Sequence, residues 1–130
     1  MKERNNIAQE ELWNGTLGEG YVSVANYIDR VVRPFSDLAV SAVNASPREL
    51  ILDVGCGCGS TSLFFARAGA RVTGIDISRK MIARARKNSK GVPNLSFHLG
   101  DAASEKLDLA YTHVFSRFGV MFFSEPFAAF

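Results

Sequence analysis

The stretch Leu50-Ile51-Leu52-Asp53-Val54-Gly55-Cys56-Gly57-Cys58-Gly59-Ser60 constrains the fold more than any other part of the chain. Its first five residues form a short apolar run, the mark of a strand covered on both faces. Glycines at alternate positions follow at once, and from Ser60 the chain reads as a helix that Gly69 ends. Glycine lets the backbone turn sharply and lets a ligand touch the main chain. In an open α/β sheet, a loop in this place lies at the carboxyl end of a strand, where such folds bind ligands.

The residues downstream repeat the alternation. Arg71 to Ile75 reads as a second strand, Ser78 to about Lys90 as a helix capped by Ser78, Leu95 to Leu99 as a third strand, and Thr112 to Ser116 as a fourth. Strands and helices alternating over short connections require parallel strands and right-handed crossovers. The expected fold class is therefore α/β, an open doubly wound sheet preceded by helices. Upstream, residues 7–14 suit a short helix closed by Gly15, and Tyr21, Val24, Ile28, Val31, Val32, Phe35 and Leu38 recur at helical spacing. Pro34 is expected to kink or split that second run near Arg33. A single domain is expected, with residues 1–47 as a helical lid and 48–130 as the core. Near the end, Ser124-Glu125-Pro126-Phe127 reads as a helix start with Ser124 as its cap. Only three residues follow, as in a piece of a longer domain.

The glycine loop restricts its own ligand. A dinucleotide fingerprint G-x-G-x-x-G needs glycine at position 60, which is Ser60. Asp53 also sets a carboxylate beside the loop, where a pyrophosphate would be repelled. A carboxylate there can pair with an ammonium group, while the following helix N-terminus favours a carboxylate. The loop thus points away from phosphates and toward an amino-acid-like group. Asp76 closes the second strand about 20 residues past the first glycine, where an acidic side chain can accept both ribose hydroxyls. Gly100-Asp101-Ala102 follows the third strand, and its carboxylate could accept from the exocyclic amine of a base.

Together LDVGCGCG (52–59), GIDIS (74–78) and GDA (100–102) resemble the class I S-adenosylmethionine-dependent methyltransferases, most closely the bacterial small-molecule members. WNG (13–15) and FSRFGVMFFSEPFAAF (115–130) are similar to one subgroup of them. The resemblance implies a Rossmann-like sheet of seven strands, of which this chain supplies about four. It implies S-adenosyl-L-methionine as cofactor, with Gly55, Cys56 and Gly57 along the methionyl moiety and Asp53 near its amino group. Asp76 would hold the ribose hydroxyls, Ile77 would pack on adenine, Asp101 and Ala102 would face the adenine edge, and Ser116 would offer backbone near the methionyl group. Trp13 and Tyr21 stand on helices that lid the pocket in this family. The implied reaction is methyl transfer to a small-molecule acceptor. The alternatives are a non-catalytic cofactor-binding fragment and, against Ser60 and Asp53, a nicotinamide-dependent dehydrogenase.

Composition bounds the partners. The 130 residues carry a formal net charge of +2, too little for bulk charge to indicate nucleic acid or an anionic membrane, and neither is expected. Arg79, Lys80, Arg84, Arg86, Lys87 and Lys90, with no acid among them, read as a solvated helix face rather than an RNA-facing patch. The polar start leads into no signal-peptide core, so a cytoplasmic address is expected. Cys56 and Cys58 are too close in sequence for an ordinary disulfide or metal pair, and His98 and His113 read as structural strand residues. The fourth strand, lacking its family neighbour, is expected to leave a sheet edge through which copies could self-associate.

Overall fold

The computed structural model describes residues 6–107 and 110–130. Residues 1–5, which carry the polar start, and 108–109, in the polar connection before the fourth strand, lie outside them. Two helices, α1 (Ile7–Asn14) and α2 (Thr16–Val43), precede β1 (Leu50–Val54), α3 (Ser60–Arg67), β2 (Arg71–Asp76), α4 (Arg79–Asn88), β3 (Leu95–Leu99) and β4 (His113–Phe115). A 3₁₀ turn over Gly119–Phe122 and a short helix α5 (Pro126–Ala129) close the chain. All strand pairs are parallel in the order β3-β2-β1-β4, so the α/β sheet expected from the alternation is present. Among the described residues no helix is long and apolar enough to cross a membrane.

Alternation along β1 sets the layers. Ile51 packs with Val72, Phe115, Phe65, Ala66 and Val40 on the helical face. Phe65 and Ile51 are fully buried, each worth about 1.5–3 kcal/mol of apolar transfer. On the opposite face Leu52, Val54 and Ile75 are covered by Ala102, Leu107, Tyr111, Val120 and Phe123 from the connecting segments. The central position of β1 carries its glycine loop to the middle of the carboxyl edge of the sheet.

Two local expectations are corrected. Pro34 neither splits nor ends α2, which runs unbroken over 28 residues. Pro34 is exposed, and so is Arg30, the residue whose carbonyl loses its N–H partner. On the buried side, Ala25, Ser36 and Val40 hold the helix down both before and after it. Ser124 does not cap α5: Glu125 occupies that position, and the Ser124 backbone N–H and hydroxyl both donate to Asn6 Oδ1, at 3.3 and 3.0 Å. A long-range partner thus outcompetes the local cap.

Candidate cofactor site

A cavity of about 230 Å³ opens at the carboxyl edge of the sheet. One wall comes from Gly55, Gly57, Asp76, Ile77, Asp101 and Ala102. The facing wall is apolar, with Trp13, Tyr21, Ile28, Phe118, Met121 and Phe122. Trp13 meets Phe122 and Tyr21 edge-on, with ring centroids 5.1 and 6.0 Å apart, which fixes the aromatic wall geometrically.

The glycine loop owes its path to two separate needs. Gly55 has φ +67, and a Cβ there would stand 2.6 Å from Gly119 Cα, so main chain meets main chain. Gly57 has φ +56, but a Cβ there would meet only Met81 Sδ, at 3.8 Å. The space beside Gly57 is open cavity, a cradle that any side chain would begin to fill. Asp76 is locked next to it. Its Oδ2 accepts the Gly57 N–H at 2.8 Å and its Oδ1 accepts the Ser78 N–H at 2.9 Å. Burial raises its pKa against these backbone donors. Asp101 Oδ1 accepts from Asn6 Nδ2 at 2.8 Å and from the Ala103 N–H at 3.0 Å. Ile77 is held from behind, its carbonyl accepting from Asn14 Nδ2 at 3.0 Å.

One expected site residue stands elsewhere. Asp53 does not line this cavity: its side chain is fully buried, with Oδ2 accepting the Thr61 and Ser62 hydroxyls at 2.9 and 2.6 Å and Oδ1 without a partner among the described residues. Burial raises its pKa to about 6, against the lowering influence of those hydroxyls. It therefore anchors the start of α3 rather than facing a ligand. Ser116, expected to offer its backbone, turns its hydroxyl inward, donating it to the Val54 carbonyl at 2.8 Å and accepting the Val120 N–H at 3.2 Å. Cys56 lines a smaller recess that shares Gly55 and Gly57 with the main cavity, its thiol pKa pushed up by burial. His98 and His113 lie outside the cavity, beside Glu105 and Glu49. Ile28 and Val32, read from sequence only as apolar positions of the second helix, line it too, as do Asn6, Gln9 and Arg117, which no local pattern marks.

A family of methyltransferase domains matches residues 51–130, which is more than half the chain. The chain belongs to the class I S-adenosylmethionine-dependent methyltransferases. It is 31% identical over 91 residues to a 23S rRNA (uracil(1939)-C(5))-methyltransferase of Methylococcus capsulatus, covering 68% of this chain and 20% of that one. It is 36% identical over 87 residues to a magnesium-protoporphyrin O-methyltransferase of Synechocystis, covering 62% of this chain and 36% of that one. Among solved structures, it resembles an RNA methyltransferase of Salinibacter ruber in complex with S-adenosylhomocysteine, with a TM-score of 0.58, 28% identity, and 64% and 56% of the two chains covered. The chain thus spans about a third or less of the length of these two curated relatives.

These relatives overturn the exclusion of nucleic acid. The exclusion rested on the net charge of +2, and a total says nothing about distribution. Arg79, Arg86 and Lys87 are exposed on α4 and Lys90 in the turn after it, and Lys80 pairs with Glu19 of α2.

Proposed function

We propose that this methyltransferase domain holds S-adenosylmethionine in the cavity and transfers its methyl group to a small-molecule acceptor. The observation that carries the reading is the Asp76 carboxylate, fixed by two backbone N–H groups at the rim of the open space beside Gly57. Each carboxylate oxygen keeps acceptor capacity for a hydroxyl after taking one backbone bond. The pair of oxygens is thereby set out for two adjacent hydroxyls, as on a ribose, and Ile77 with Ala102 offers an apolar seat for a base. Asp101, oriented by Asn6, can accept from an exocyclic amine. The helices before residue 47 act as the lid, since Trp13 and Tyr21 face the sheet across the cavity.

When bound, S-adenosylmethionine supplies an electrophilic sulfonium methyl. The chain's own part is positioning and exclusion of water: Trp13, Phe118, Met121 and Phe122 present an apolar surface on which an acceptor can lie against the cofactor wall. That lining supports a small, largely apolar acceptor, and the Synechocystis relative's name agrees with one. A base within RNA is the second reading, favoured by the rRNA-methylating relatives and the exposed cations of α4. A cytoplasmic address goes with either.

Calorimetric titration with S-adenosylhomocysteine and NAD tests the cofactor, and methyl transfer from labelled S-adenosylmethionine to a porphyrin and to an rRNA fragment tests the acceptor. Binding of S-adenosylhomocysteine with none of NAD is expected. NAD binding as tightly would overturn the reading.

A further inference from the structure

The inward face of α2 is tied to the rest of the chain. Gly18, Ala25, Ser36 and Val40 are buried there, and Arg117 donates to Asp29 Oδ1 at 2.7 Å and to Ser36 Oγ at 3.0 Å. Nearly opposite runs an apolar stripe left largely open among the described residues. Leu17, Val24, Tyr27, Val31, Phe35 and Leu38 are between 44% and 76% exposed. At about 100° per residue, all six fall within roughly 80° of the helix circumference. Leu17, Val24, Val31 and Leu38 recur every seven residues, the repeat of a seam that packs along a second helix. A single exposed leucine is ordinary, but six large side chains in line over about 32 Å of helix are not. Phe35 meets Phe118 edge-on, with ring centroids 6.5 Å apart, so the stripe runs on to the rim of the cavity.

Charge beside the stripe selects what covers it. One flank carries Arg30 and Asp37, both exposed. The two signs cancel, so this border lacks the run of cations by which an amphipathic helix holds an anionic membrane. It does match itself. Two copies of α2 laid antiparallel about a two-fold axis near Arg33 bring Arg30 of each beside Asp37 of the other, because the two positions stand about equally far on either side of the axis. The same overlap sets Tyr27 of each copy near Leu38 of the other, and Val31 near Pro34. A parallel pair gives neither charge an opposite partner, since Arg30 would face Phe35. Asp37 Oδ2 also stands 3.6 Å from Arg33 on its own helix, an exposed contact of little worth that a second partner can displace. Six side chains exposing roughly 100 Å² each give about 600 Å² per copy, near the ~800 Å² per partner of a standard interface.

We propose that the outer face of α2 is a self-association surface, on which a second copy of this chain lies antiparallel and is held in register by reciprocal Arg30–Asp37 pairs. The inference stands on α2 alone and needs nothing bound in the cavity. Tyr21, Ile28 and Val32 of the same helix line that cavity, so the second copy braces the lid from outside.

Sedimentation equilibrium of the 130-residue chain should show a dimer with a dissociation constant below about 100 μM. Val31→Glu combined with Leu38→Glu, at two exposed positions, should raise that constant at least about a hundredfold and leave the circular dichroism spectrum unchanged. Arg30→Asp and Asp37→Arg should each weaken the dimer about tenfold by creating like-charge contacts, and the two together should restore it to within about threefold. A chain that stays monomeric up to about 100 μM would overturn the proposal, and that measurement needs no variant. A dimer that survives the paired glutamates would overturn it as well, since association would then run through another surface. Charge exchanges that fail to compensate would sink the antiparallel register. A monomer that instead cosediments with vesicles of phosphatidylcholine and phosphatidylglycerol would give the stripe to a lipid surface, against the proposal.

Discussion

Raising the pH from about 4 to 8 weakens this fold through Asp53 by an amount that burial sets. Its carboxyl has no exposed surface and one oxygen without a partner among the described residues, and its pKa stands at about 6 against 3.8 for an ordinary aspartate. Between those two values the native chain holds a proton that the unfolded chain has released. The native state then binds more protons than the unfolded state, so stability falls as pH rises. The contribution is complete below about pH 4 and gone above about pH 6–7. Its size is about 3 kcal/mol, from roughly two decades in proton affinity at about 1.4 kcal/mol per decade. Asp53→Asn keeps an acceptor for the Thr61 and Ser62 hydroxyls and removes the titration. Urea unfolding followed by circular dichroism, on both chains from pH 4 to 8, isolates the effect, because every other carboxylate titrates in both. The stability difference between the two chains should shift by up to about 3 kcal/mol in favour of the variant as pH rises. Parallel profiles would refute the reasoning, and with it the burial of an unpaired oxygen at Asp53.

The glycine loop yields a contrasting pair. Gly57→Ala should cost about 1–2 kcal/mol of backbone strain yet fold, while losing S-adenosylhomocysteine binding in calorimetry. Gly55→Ala should lower the melting temperature further, since its Cβ would force Gly119 away from 2.6 Å. Asp76→Ala should weaken binding of S-adenosylhomocysteine by about 1–3 kcal/mol, the cost of leaving buried hydroxyls unpaired, as read in the same titrations. Asn6→Ala should release three hydrogen bonds linking α1 to Asp101 and Ser124, and hydrogen exchange should show faster opening around residues 101–104 and 124 with the sheet unchanged.

The regular elements were legible because their signals are local. The bounds of β1 and β3 follow the sequence reading residue for residue, set by apolar runs between turn residues. Asp76, Asp101 and the glycines could be placed at the cavity because each ends a strand, and strand ends in a parallel sheet share one edge. Asp53 was misjudged for the opposite reason. Sequence puts it beside the loop, but the pleat turns it toward α3, and only the fold reveals Thr61 and Ser62 as its partners. Arg117 and Asp29 lie 88 positions apart, and Asn6 and Asp101 lie 95 apart, so no spacing rule could have joined either pair. Pro34 was a propensity overridden by tertiary contacts on both of its flanks.

The strand order has a consequence for how the molecule assembles. β1 finds β2 where Leu50 meets Arg71, but it finds β4 only across a separation of 62 residues, as between Leu50 and Thr112. Closing a loop about three times longer costs roughly 1 kcal/mol more in chain entropy. β4 has only three residues with which to offset that, and Val114 in its middle is largely exposed. Pairing of β4 is therefore expected to come late in folding and to fray early on unfolding, read as fast hydrogen exchange over residues 113–115. Arg117, Phe118 and the turn over Gly119–Phe122 follow β4 directly, so one whole wall of the cavity is as secure as that short strand. A molecule gripped between the glycine loop and Arg117 fastens together the two strands that the chain, left to itself, finds hardest to keep paired.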